Sequence, residues 1–343
     1  MNNHIAWIDW AKTAAIFFVI LLHIHCDDVA DRVINAFVIP LFFLISGYLF
    51  NLKNNPRSKS FVKKRFRQLV IPYLWINVIT YLSWLLVLRH YGNNPLDAVE
   101  YYVPLFGIVS GIGPLLVHNI PLWSLLSFFV VEMAFYSFVK RGIKWWNVLL
   151  ISILLYSILI TFIPNIIGKL PFVIGPSISG LIFYSLGYGW REDISRNRTL
   201  CKSISEKWGA IILFSVSLLV FVFSINRNET ISFYDCKTGS LIYFFCSSIS
   251  GSVLVILASK FVDRYVKTNK IIRLISKGTL IICGLHLSIL AFFKGIILLI
   301  TGIGPDVYTH GIVNGIILAL ITLMSALPLI LIIRKYAMPL VNK

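Results

Sequence analysis

Three ionisable residues, Asp9, Lys12 and His23, sit in the first apolar run of the chain. Lys12 and His23 are eleven residues apart, which on a helix is three turns plus about 20°, so they share a face about 16 Å apart along the axis. Asp9, one turn before Lys12, lies near the same stripe, whereas His25 falls off it. Ionisable groups in lipid cost several kcal/mol unless partners or water compensate them. The stripe therefore reads as a track facing a bundle interior, with a cation near the cytoplasmic end and an imidazole deep on the same face. The competing reading makes Asp9 and Lys12 a border ion pair, with Lys12 snorkelling to the surface and His23 a packing residue.

Other polar residues occur where lipid would penalise them. Ser46 precedes Gly47 in an apolar run where a glycine lets two backbones approach. Glu132 lies within a span behind Trp123 and Ser124, and His286 follows Gly284. For Trp123 and Tyr48 a place in the interfacial aromatic belt stands beside substrate contact. A basic run, Lys63-Lys64-Arg65-Phe66-Arg67, leads straight to Pro72-Tyr73. Orientation charge explains its basicity, but Lys64, Arg65 and Arg67 packed against a proline-marked helix start also suit a cytosolic ligand bearing phosphates. His23 and Asp28 form an H-x-x-x-x-D string, a spacing found in soluble glycerol-phosphate acyltransferases. At the exit of a membrane span it reads as coincidence, with Asp27 or Asp28 still able to orient a histidine.

The elements that must position these groups are membrane helices. The chain has 343 residues, 58% hydrophobic and 13% charged, with mean hydropathy +0.83; a soluble domain is about a quarter charged. About 20 apolar residues cross a bilayer, and candidate spans lie near 6–26, 33–51, 69–88, 120–139, 146–163, 170–190, 209–225, 240–258, 278–300 and 311–333. The interrupted stretch 106–117 reads as re-entrant or interfacial. The expected fold is all-α, a single transmembrane domain over 1–343 with about ten helices. The first run lacks a small-residue cleavage site and reads as a retained span.

The net charge of +17 does not indicate nucleic acid, because the cations collect in alternate gaps instead of forming one patch. With the N-terminus inside, all but six of the 31 Lys and Arg fall on the inner side; the six are Arg32, Arg89, Lys169, Arg227, Lys237 and Lys294. Both termini are then expected in the cytoplasm. Five scattered cysteines, including Cys201, show no C-x-x-C pair, so neither a disulfide framework nor a metal site is expected. Internal repeats and phosphate-binding loops are not evident. Gly107–Gly111 and Gly311–Gly315 have the spacing of small-residue helix contacts.

Taken in order, several segments resemble the membrane-bound acyltransferase-3 family, most closely its fucose-4-O-acetylase-like branch. They are Ile8-Asp9-Trp10-Ala11-Lys12 with His23; Pro40 to Tyr48; Lys64 to Tyr73; Leu122-Trp123-Ser124-Leu125; Phe183 to Tyr188; and Ser276 to Leu280 leading to Leu285-His286. Many members have Arg where Lys12 stands, and the Trp123 motif matches only in part.

The resemblance implies a ten-helix enzyme of the bacterial inner membrane that moves an acyl group, usually acetyl from acetyl-CoA, to a hydroxyl of a sugar, surface polysaccharide or lipid-linked saccharide. On that basis His23, Lys12 and Asp9 are the expected catalytic residues. Arg65, Arg67 and Lys64 are expected to hold the CoA phosphates, and Ser46, Glu132, Trp123 and His286 to complete the acceptor pocket. Expected partners are membrane lipid, acyl-CoA and a glycan acceptor. A glycan transporter or flippase is the rival reading; it would more often show internal repeats and broken helix pairs.

Overall fold

The computed structural model describes residues 5–89, 99–196, 207–228 and 231–336. Its helices in chain order are α1 (Ala6–Leu22), α2 (Asp28–Leu49), α3 (Ser58–Leu88), α4 (Tyr102–Ser110), α5 (Trp123–Lys140), α6 (Trp145–Phe162), α7 (Ile174–Arg196), α8 (Lys207–Arg227), α9 (Leu241–Tyr265), α10 (Lys270–Thr301), α11 (Pro305–Thr309) and α12 (Ile312–Tyr336). No strand occurs among the described residues; one isolated bridge joins Ser232 to Lys237. The chain is an all-α polytopic membrane protein. Nine of its helices are at least 18 residues long and apolar enough to cross a membrane, counted among the described residues. The expected first span is α1, with 17 residues. It stops at Leu22 because the chain turns through His23 to Cys26, with His25 at φ 54°.

Three boundaries differ from the sequence reading. Helix α3 starts at Ser58 instead of 69, so the basic run is helical and not a loop. Helix α10 starts at Lys270, where the Asn269 side chain caps it by accepting from the Ile272 N–H at 2.9 Å. Asp27 caps α2 in the same way, through the Ala30 N–H at 2.8 Å. Polar helix starts extend the hydrophobic cores that hydropathy alone delimits. The stretch expected to be re-entrant, 106–117, holds the end of α4 and a single 3-10 turn, Gly113–Leu115. Four residues of the charge and cysteine pattern, Arg198, Cys201, Lys202 and Lys343, lie outside the described residues.

Helix α7 lies in the middle of the bundle and α2 packs along it. The contact is close because Gly47 and Gly187 face the partner backbone. A Cβ at Gly47 would collide with the Tyr184 carbonyl, and one at Gly187 with the Leu44 carbonyl. Helix α1 is wrapped by α2, α9, α10 and α12. Its Ala11 and Ala15 are fully buried, and small side chains there let the neighbours close in. Helices α6 and α8 instead present apolar faces outward, with Leu154, Ile212 and Leu219 exposed as lipid contact requires.

Candidate active site

The stripe read from the sequence does turn inward. Asp9 is buried, and its Oδ1 accepts a hydrogen bond of 2.6 Å from the Ser276 hydroxyl on α10. Lys12 is half-buried and feels the charges of Asp9 and Arg65. A π-helical turn at Phe66–Val70 follows Arg65 directly. Such a turn holds one residue more than an α turn and shifts the register of the helix beyond it. Lys64 and Arg67 stay exposed, while Arg65 is drawn in over the Phe61 ring at 5.7 Å.

The inward guanidinium meets a buried carboxylate. Arg65 Nε lies 2.7 Å from Glu132 Oε2 on α5, with the Glu132 side chain only 6% exposed. Arg65 Nη1 also donates to Gln68 Oε1 at 2.9 Å. Lys64 acts on Glu132 through its charge, and the fully buried Tyr184 on α7 lies within the fields of both Glu132 and Arg65. Asp9, Lys12, Arg65, Glu132, Tyr184 and Ser276 thus form one polar cluster drawn from α1, α3, α5, α7 and α10. Breaking such a pair from one side leaves a charge in low dielectric, at a cost of about 3–5 kcal/mol.

A second centre sits beyond the other end of α1. His23, just past Leu22, brings its ring centroid to 5.1 Å from that of His286 on α10. His286 is fully buried. Its Nδ1 lies 2.9 Å from the Cys283 carbonyl and 3.1 Å from that of Ile282. Carbonyls only accept, so Nδ1 carries the proton and Nε2 keeps its lone pair. That Nε2 has no hydrogen-bond partner among the described residues. A buried imidazole with a free lone pair beside a second imidazole is equipped to take a proton from a hydroxyl.

A model of the acyltransferase domain, acyltransferase-3, matches residues 5–335. The chain belongs to the acyltransferase-3 family. Comparison with curated proteins and with solved structures gives no match. As an acyltransferase-3 protein it is a membrane acyltransferase.

The remaining sequence candidates lie around these centres. Ser46 is half-buried on α2, beside the Gly47 contact with Tyr184. Trp123 is buried and stacks on Phe233 at 6.0 Å and 19°. Neither Asp27 nor Asp28 is the histidine partner: Asp31 Oδ2 holds His25 Nδ1 at 2.7 Å, on the exposed side of the turn. No group of His, Cys, Asp or Glu that could hold a metal ion occurs among the described residues.

Sequence reasoning passed over His118 and Asn119, in the turn before α5. Both are buried. Asn119 Nδ2 donates to the Gly284 carbonyl at 2.7 Å, two residues from His286, and His118 Nε2 lies 3.0 Å from Asn77 Oδ1. Asn77 donates its amide to the Tyr73 carbonyl, so its oxygen accepts from His118. His118 Nδ1 and Asn119 Oδ1 are left as buried acceptors with no partner among the described residues. A polar pair in a proline- and glycine-rich turn was the available signal, hidden because that stretch has no helical period.

Proposed function

We propose that this acyltransferase moves an acetyl or similar acyl group from acyl-CoA to a hydroxyl of a sugar, surface polysaccharide or lipid-linked saccharide. The observation that supports it most is the His23–His286 pair, with the His286 Nε2 lone pair buried and unengaged. The fucose-4-O-acetylase-like branch and a bacterial inner membrane belong to the same reading. So does a cytoplasmic N-terminus, which the distribution of Lys and Arg favours.

In this reading one imidazole of the pair takes the proton of the acceptor hydroxyl. The oxygen attacks the thioester carbonyl, and the tetrahedral intermediate collapses with loss of the CoA thiolate. The imidazolium returns the proton to that thiolate, so the base is regenerated. A coupled pair suits this role, because the neighbour ring can hold or relay the proton.

The donor is assigned to the cation-rich end. Lys64 and Arg67, exposed on α3, meet the CoA phosphates, and Lys12 and Arg65 lie deeper along the path of its pantetheine arm. Asp9 holds Lys12 in place, itself fixed by Ser276. Ten residues of α1 lie between Lys12 and His23, a rise of about 16 Å, so the donor reaches the imidazoles in an extended form. Glu132 fixes Arg65, while Ser46 and Trp123 belong with the acceptor.

The test is transfer of label from acetyl-CoA to envelope glycan in membranes containing the protein. Covalent label on saccharide supports the reading. Saccharide crossing the membrane without gaining label would point to a transporter instead.

A further inference from the structure

A cavity of about 830 Å³ lies between the turn that joins α6 to α7 and the loop that joins α8 to α9, with Pro114, Lys169, Asp235, Cys236 and Lys237 on its walls. Ligand sites commonly enclose about 300–1,000 Å³. One of its wall residues has unusual backbone: Cys236 has φ 57°. Such a conformation is unfavourable for a residue with a side chain and persists where surrounding structure enforces it, often at ligand sites.

The charges at this cavity are out of place. With the N-terminus inside, six basic residues fall on the outer side of the membrane, and Lys169 and Lys237 are two of them. Cations are depleted from translocated loops, so two at one cavity call for a local reason. Asp235 lies 3.9 Å from Lys237 and moderates it. Lys169 is exposed and has no ion-pair partner among the described residues. The loop is also tied to the transfer site, since Phe233 stacks on Trp123 and Tyr234 lies near Gly113 in the turn before α5.

The geometry points to this cavity as the docking site for an anionic saccharide, one that carries a carboxylate or a phosphate. Resting on the acyltransferase reading, this names the acceptor class: Lys169 and Lys237 hold the anionic group while the rest of the sugar leads toward Trp123. Lys169 and Lys237 are exposed, so binding weakens as salt rises.

The test uses the full-length protein in nanodiscs without acyl donor, so its outcome is separate from that of the transfer assay. Methyl glucuronide, glucose 1-phosphate, methyl glucoside and inorganic phosphate are titrated as probes. Both anionic sugars should bind at least about fivefold more tightly than methyl glucoside. Lys169→Gln should weaken them about threefold, as loss of one exposed pairing does, and leave the neutral sugar unchanged. Asp235→Asn should tighten them, a gain that misfolding does not produce. Equal binding of charged and neutral sugars, or no effect of either substitution, would overturn the assignment. Inorganic phosphate binding as tightly as glucose 1-phosphate would overturn its saccharide part. Anionic sugar binding without any label transfer would leave the cavity assignment standing and remove the transferase reading.

Discussion

The rings of His23 and His286 lie 5.1 Å apart, across the boundary between α1 and α10. The pair joins residues 263 positions apart in the chain, and only helix packing could bring them together. If the two share one proton, their losses are not independent. His23→Ala and His286→Ala should each lower the transfer rate about 10²- to 10⁴-fold. The double variant should be little slower than the worse single. Rates measured in matched membranes check this, and multiplying effects would separate the two roles.

The Arg65–Glu132 contact should behave as a unit. Arg65→Ala strands Glu132, and Glu132→Ala strands Arg65, each at about 3–5 kcal/mol of stability. Arg65→Met with Glu132→Leu removes both charges and should recover much of the loss, while donor binding stays impaired. Thermal unfolding in detergent, with and without acyl-CoA, reads the two effects separately.

Lys64 and Arg67 face outward and support no core packing. Lys64→Gln and Arg67→Gln should raise KM for acyl-CoA several-fold, more at low salt than at high salt, with little change in melting temperature. Steady-state kinetics at two ionic strengths check the claim.

Gly47 has no room for a side chain against Tyr184. Gly47→Ala should cost about 1–3 kcal/mol by forcing α2 from α7. Because Tyr184 lies within the field of Glu132, activity should fall as well. Melting temperature and residual transfer, measured on the same sample, test both parts.

Asn119 combines a made and an unmade hydrogen bond. Asn119→Leu removes the donor to the Gly284 carbonyl and should destabilise by about 1–3 kcal/mol. Acceptor KM should rise if the free Oδ1 meets a hydroxyl of the sugar. A drop in melting temperature with unchanged acceptor KM would confine the residue to holding the turn on α10.

Much of the fold was legible because lipid makes strict demands. Long apolar runs must become helices, and nine among the described residues are long and apolar enough to cross a membrane. The inward placing of Asp9 and Lys12 followed from helical period, whereas His23 lies just past the end of α1, in the turn. The partners did not. Nothing local to Glu132 names Arg65, since the two lie on different helices whose packing hydropathy cannot show. The same holds for His286, whose tautomer is fixed by carbonyls of its own helix. His118 and Asn119 were missed because irregular turns have no period to read.

The most direct measurement is the rate of label transfer from acetyl-CoA to envelope glycan in membranes holding equal amounts of wild-type protein and His23→Ala. The account predicts a loss of at least about a hundredfold, with the variant folded and present. Transfer by His23→Ala at the wild-type rate would contradict it.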